Sequence, residues 1–188
     1  MTFFFKNHPL VSYDIRGNGV PRTIQNPLVR FKLLDVLKNR TALYYTHDIQ
    51  EGQSLEFIAD RYYGDSTLDW VIYIVNDIID PQYDLPLDYQ QFNAFVKGKY
   101  GKVETAINTI HHYEHIYQKQ SVLFDGTIVP EKVIIIDATS YASLPVTDRR
   151  EVSSFTYEEK LNDSKRTIKI LGTDYLGQFL SEAESIFE

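Results

Sequence analysis

Three groups of residues have side chains suited to chemistry. His111, His112 and His115 surround Glu114, and imidazole nitrogens beside a carboxylate are common transition-metal ligands. His111 and His115 share a face at i, i+4 on a helix, and on a strand they also point the same way. The order His-His-Tyr-Glu-His nevertheless lacks the H-E-x-x-H register in which a glutamate serves as base beside zinc. The run is read as a polar or contact-forming face, with no metal assigned. The second group is Asp77, Asp80, Asp84 and Asp88. A calcium loop of the EF-hand kind needs acidic residues at alternate positions, a central glycine and a terminal glutamate, and none of that grammar is present. A glycosidase pair needs a defined separation in space, which chain spacing does not supply. Aspartates beside proline and ahead of helices cap and turn, so these are read as structural. The third group is aromatic. Tyr62, Tyr63, Trp70, Tyr73 and Tyr83 could line a sugar or peptide groove, although Trp70 lies on a helix already apolar on its other face and is assigned to the core.

Further catalytic patterns are missing. The chain has no cysteine, which excludes disulfides, thiolate nucleophiles and Cys-ligated zinc or iron–sulfur centres. G-x-S-x-G, phosphate-binding glycine loops and dinucleotide fingerprints do not occur. No catalytic residue and no cofactor is expected, and the chain reads as a non-enzyme.

Composition narrows the partners. The 188 residues are 43% apolar and 24% charged, in the range of globular proteins. A formal charge of −7 has the wrong sign for neutralising phosphates, so nucleic acid is not expected as the main partner. No apolar run has the length of a signal-peptide core or a membrane span, so neither export nor a membrane is expected. With 14 Tyr and 11 Phe against one Trp and one Met, large rings carry much of the apolar content. Such rings suit protein contacts and sugar stacking alike.

These residues are positioned by an expected α+β chain. Residues 1–42 read as an extended, irregular arm and connecting segment containing Phe3, Phe4, Phe5 and Tyr13; it either packs on the domain as a lid or orders on a partner. A strand runs through Leu43–Thr46. Ser54 caps a helix whose Leu55, Ile58, Ala59 and Tyr62 form one stripe, and Gly64 ends it. Ser66 opens a second helix, apolar nearly all round, through Val75. Residues 76–87 form a Pro-punctuated loop, after which Asp88 caps a third helix through Phe92, Phe95 and Val96. His111–Gln118 reads as a strand, Asp125–Gly126 as a hairpin turn, and Lys132–Asp137 as a buried strand. Residues 152–159 and 166–171 read as a second hairpin. A final helix starts near Asp174, with Leu176, Phe179, Leu180, Ala183 and Phe187 on one side.

The segment from Tyr45 through Asn76 resembles a LysM module, in which a strand, a glycine turn, two helices and a final strand follow one another. The matching positions are Gly52, Ser54, Leu55, Ile58, Ala59, Tyr63, Gly64, Trp70 and Asn76. The likeness departs after Asn76, where Asp84-Leu-Pro-Leu87 leads into a helix instead of the final strand. The division is then 1–42 for the arm, 43–88 for a LysM-like domain with a small βαα core, and 89–188 for a C-terminal α+β region of β-hairpins and helices. The whole chain resembles a narrower family, the baseplate wedge subunit of T4-like contractile-tailed bacteriophages. The carrying features are the aromatic start from Phe3 to Tyr13, Asn76-Asp-Ile-Ile-Asp-Pro-Gln-Tyr-Asp-Leu-Pro86, Lys99-Tyr100-Gly101, His111-His-Tyr-Glu114, Tyr157-Glu-Glu-Lys-Leu-Asn162 and Lys165-Arg-Thr-Ile-Lys169. That resemblance implies a structural protein of the virion tail, assembled in the host cytoplasm, present in several copies around the hub and bound to other wedge and hub proteins. Contact candidates are Phe3, Phe4, Phe5, Tyr13, Asp80, Pro81, Tyr83, Asp84 and Pro86. The LysM likeness alone would imply peptidoglycan binding instead.

Overall fold

The computed structural model describes residues 8–26, 28–29, 31–33 and 35–186. They form an α+β chain of two compact units, one comprising the described residues up to Pro86 together with those from Lys165 onward, the other Leu87–Ser164. The first unit begins with β1 (Leu10–Tyr13), β2 (Arg22–Gln25), α1 (Asp35–Lys38), β3 (Tyr44–Asp48), α2 (Leu55–Tyr63), α3 (Asp69–Val75) and α4 (Pro81–Asp84). The second holds α5 (Tyr89–Tyr100), α6 (Val103–Asn108), β4 (Ile110–Gln118), β5 (Ser121–Val122), β6 (Ile128–Val129), β7 (Lys132–Ile136), α7 (Ala138–Ser143), β8 (Arg149–Ser153) and α8 (Ser154–Ser164). The chain then returns to the first unit for β9 (Thr167–Leu171) and α9 (Thr173–Ser185). A boundary at residue 88 with everything beyond it in one C-terminal region does not describe this division, because residues from Lys165 onward rejoin the earlier segment.

In the first unit β3 and β9 pair antiparallel, Tyr44 opposite Leu171 and Asp48 opposite Thr167. Alternation along β9 sends Ile168 and Ile170 inward and leaves Thr167 and Lys169 outside. The inward residues meet Leu55, Ile58 and Ala59 of α2 and Ile72 of α3. A second cluster joins Leu68, Trp70, Val71, Val75 and Leu171 to Leu176, Phe179, Leu180 and Ala183 of α9. Each fully buried Ile, Leu or Val contributes about 1.5–3 kcal/mol through water exclusion. The α2 stripe is as its spacing predicts, with Ser54 accepting the Phe57 N–H at 3.3 Å and Gly64 at φ 72 ending the helix. Entry to α3 differs from expectation. Asp65, one residue before Ser66, accepts from Thr67 N and Oγ1, and a 3₁₀ turn over Ser66–Leu68 comes first. The segment expected to be irregular contains the antiparallel β1–β2 pair, and the expected loop contains α4.

In the second unit β4 lies between β7 and β8, all antiparallel. A small core joins Phe92 and Val96 of α5 to Ala106 of α6, with Leu87, Tyr100, Val103 and Phe155 packed on it. Asp88 and Gln91 form a reciprocal capping box at the start of α5. Residues 152–171 are not a hairpin. β8 pairs with β4 and β9 with β3, and α8 lies between them. Ser153 Oγ accepts the Thr156 N–H at 3.1 Å, which starts the helix, and Ser154, Glu158 and Asn162 form its buried stripe. Their polarity hides that stripe from a search for apolar periodicity. β7 is a second correction: its aliphatic run is a solvent-exposed sheet edge and not a buried strand.

Candidate functional site

The signature positions of the β3–α2–α3 segment hold the first unit together. Gly52, at φ 76, turns the chain between β3 and α2. His47 braces that turn, with Nδ1 3.2 Å from the Tyr62 hydroxyl and Nε2 3.1 Å from Gln53 Oε1. Since the amide oxygen only accepts, Nε2 donates to it. Leu55, Ile58 and Ala59 are core residues, and Tyr63 packs against both core clusters. Burial pushes the Tyr63 phenol up, with partial relief from the Leu171 backbone. Trp70 is only 8% exposed. Its ring meets Phe31 edge-on at 6.1 Å and Phe179 at 5.8 Å, so its faces are spent inside the protein.

Asn76 has the most specific role. At the C-terminus of α3 its Nδ2 donates to Ile72 O at 2.9 Å and Lys169 O at 2.7 Å, while Oδ1 accepts from Lys169 N at 2.8 Å. The side-chain amide thus satisfies both outward-facing backbone groups of Lys169 on β9, as a neighbouring strand would. The helix ends in a Schellman motif: Ile78 N donates to Tyr73 O, Asp77 N to Ile74 O, and Asp77 takes the left-handed conformation at φ 55. Lys38 pairs with the Asp77 carboxylate.

The Asp80–Pro86 candidates divide into scaffold and surface. Asp80 caps α4 through Gln82 N, and Asp84 accepts the N–H groups of Ile79 and Asp80, both at 2.9 Å. Those two backbone donors hold the Asp84 carboxyl below the usual aspartate range. Lys165 donates to Tyr83 O. The Tyr83 side chain, 64% exposed, stands free with Pro81 and Ile79, whereas Pro86 is half-buried. Tyr13 is exposed on β1 with Leu10, Val11, Ile15 and Val20 around it in sequence. Phe3, Phe4 and Phe5 lie outside the described residues, as does Phe187.

The histidine run does not converge. The β4–β8 register shifts between Ile110 and His112, leaving His111 without a partner, as a β-bulge does. His111 stacks on Tyr157 at 3.8 Å, and its Nδ1 lies 2.8 Å from Nδ1 of His112. His115 pairs instead with Ile134 and Arg149. Among the described residues, no group of three His, Cys, Asp or Glu could hold a metal ion. Glu114, buried, meets Arg150 at 2.6 Å and Lys160 at 3.6 Å, and His112 lies 3.4 Å away. Glu158, also buried, accepts from Lys99 at 2.6 Å and the Tyr100 hydroxyl at 2.8 Å. Burial pushes both carboxyls up, but the bonds from Arg150 and from Lys99 with Tyr100 outweigh it, so each ends below the ordinary glutamate value of 4.5. Both clusters brace the second unit through charge.

An apolar surface that the sequence reading missed lies between β4 and α7. Phe124, 98% exposed, stands at the β5–β6 turn beside exposed Val122, Leu123 and Ile128. Val133, Ile134 and Ile135 follow on β7, with Ile135 72% exposed. The Asp125–Gly126 dipeptide marks the turn, but β-branching alone does not report which strand is at the edge. Neither the protein-family models nor the curated proteins with which the chain was compared give a match.

Proposed function

We propose that the chain is a non-enzymatic subunit of a phage tail baseplate wedge, built on a LysM-like unit and acting through protein contacts. It binds other wedge and hub proteins in several copies and helps join neighbouring wedges. The β3–α2–α3 segment followed by β9 has the strand–helix–helix–strand order of a LysM module, with its last strand supplied from beyond the second unit. The observation that carries the functional reading is the placement of apolar side chains. Trp70, which a sugar platform would present, is packed between Phe31 and Phe179, while Tyr83, Phe124, Leu123 and Ile135 face solvent. Large rings exposed on a one-turn helix and on a hairpin suit anchors for a partner's pockets.

The test is reconstitution with a purified wedge precursor, followed by electron microscopy. Rings should close with the wild type and fail with Phe124→Ser, a change at a side chain with almost no intramolecular contact to lose. Rings that close equally well without the protein would refute the assembly role. Saturable retention on purified peptidoglycan would replace it with glycan binding.

A further inference from the structure

Strands β1 and β2 form an antiparallel hairpin that has no third strand among the described residues. A two-stranded hairpin by itself is marginally stable in water, and none of the side chains of residues 10–25 belongs to a core cluster. The register sets Val11 opposite Ile24 and Tyr13 opposite Arg22. These four share one face, and Leu10, Ser12, Thr23 and Gln25 share the other. Toward the tip Tyr13, Ile15 and Val20 are exposed, as are Arg16 and Arg22. The carboxylate of Asp14, the one acidic residue of the hairpin, is taken up by the N–H groups of Arg16 and Gly19 at 3.1 and 2.6 Å. A tyrosine and arginines among aliphatic side chains are the residue types that anchor protein interfaces.

Charge decides what this face fits. Residues 1–40 contain seven lysines and arginines against Asp14 and Asp35, whereas residues 41–96 contain ten aspartates and glutamates against Arg61 alone. Part of that acidic surplus stands on α2, where Glu56 and Asp60 lie one turn apart, both exposed, and Phe57 beside them is 54% exposed. Its potential reaches α3: burial pushes the Asp69 carboxyl and the Tyr73 phenol up, and the charge of Glu56 adds to both. Among the described residues Arg16, Arg22, Glu56 and Asp60 form no ion pair. One unit thus presents an unpaired basic hairpin and an unpaired acidic helix, and both face solvent. We propose that the β1–β2 hairpin of one copy docks on α2 of a second copy, with Arg16 and Arg22 meeting Glu56 and Asp60 while Tyr13 and its aliphatic neighbours cover Phe57. Hairpin against hairpin would bring arginines together, and α2 against α2 would bring carboxylates together, so the contact joins unlike surfaces. It is a property of the free chain and does not rest on the baseplate reading.

Sedimentation equilibrium of the full chain over a wide micromolar range tests the docking. The wild type should associate with rising concentration, and added salt should weaken the association by screening the exposed pairs. Arg16→Glu with Arg22→Glu, and separately Glu56→Lys with Asp60→Lys, should each weaken it about tenfold or more. The circular dichroism should not change, because all four side chains already face water. Mixing the two double variants should recover association that neither shows alone, since each supplies the surface the other lacks. A wild type that stays monomeric throughout, an association indifferent to salt or to either double variant, or a mixture as weak as its components overturns the proposal. A monomer that retards duplex DNA, and loses that retardation with Arg16→Glu and Arg22→Glu, would assign the hairpin to nucleic acid and also overturn it.

Discussion

In the first unit the described side chains removed from water are mostly aliphatic or aromatic, Ile58, Val71, Ile72, Ile170 and Trp70 among them, with His8 as a buried polar residue, whereas the second buries two carboxylates, Glu114 and Glu158, together with Ser154 and Asn162, beside Phe92, Val96 and Val152. An apolar core is held by area and shape and responds little to the state of any one polar group. A core containing carboxylates is conditional, because each charge is tolerable only while its partners are in place. The same chain therefore contains a unit built for robustness and a unit whose integrity depends on solution conditions. The exposed β7 edge and the Phe124 hairpin belong to the conditional one.

The largest expected effect breaks the first core directly. Ile72 is fully buried between α2 and β9, and Ile72→Ala should cost about 2–5 kcal/mol in urea unfolding followed at the first unit. A loss below about 1 kcal/mol would mean that this core is not packed as described.

Acid should separate the units. The folded-state carboxyls of Glu114 and Glu158 lie below 4.5, so the stability they contribute is fully present above that value and is lost as pH falls through their depressed values. Hydrogen exchange measured from pH 6 down to pH 3 should show amides of β4 and α8 losing protection before those of β3 and β9. Glu158→Gln should flatten that dependence. Equal acid sensitivity of both units would refute the contrast.

A subtler comparison lies in two asparagines that do the same job in different surroundings. Asn162 accepts Leu87 N at 2.7 Å and donates to Leu87 O at 3.0 Å, clasping the two ends of the second unit. Asn76 forms the equivalent two-way pair with Lys169. Asn162 is buried and Asn76 is only half-buried, so water can replace the Asn76 bonds more easily. Asn162→Ala should cost about 1–3 kcal/mol and Asn76→Ala about 1 kcal/mol, both read from thermal melts. The reverse order would show that the β9 edge depends on Asn76 more than its exposure suggests.

What could be read from the sequence was local. Ser54, the Leu55–Ile58–Ala59 stripe and Gly64 lie within one helix and specify it by short-range bonds and a single face. The pairing of β9 with β3 has no local signal, since its partner lies on the far side of the whole second unit. Loop-closure cost rises slowly with length, so such an insertion is thermodynamically tolerable. The α8 helix was hidden for a different reason: its buried stripe of Ser154, Glu158 and Asn162 is polar. For the contact surface, Tyr83 is legible as an aromatic ring in a Pro-punctuated segment, although that segment contains α4. Ile135 was not, because the same β-branched run suits a central strand or an edge equally well.

The smallest expected effect compares two helix caps. Ser54 of α2 satisfies one backbone donor, Phe57 N–H, at 3.3 Å. Asp88 of α5 accepts Gln91 N–H at 2.7 Å, and Gln91 Oε1 accepts Asp88 N–H in return at 3.3 Å. The carboxylate of Asp88 also sits favourably against the positive end of the helix dipole. Tertiary support runs the other way, since α2 buries Leu55, Ile58 and Ala59 over 9 residues and α5 buries Phe92 and Val96 over 12. A helix with less burial depends more on its ends. Asp88→Ala should therefore cost about 1–2 kcal/mol and Ser54→Ala about 0.5–1 kcal/mol in the same melts. Equal costs would mean that the capping box adds nothing beyond a single hydroxyl, and that α5 is held by contacts other than its small apolar core.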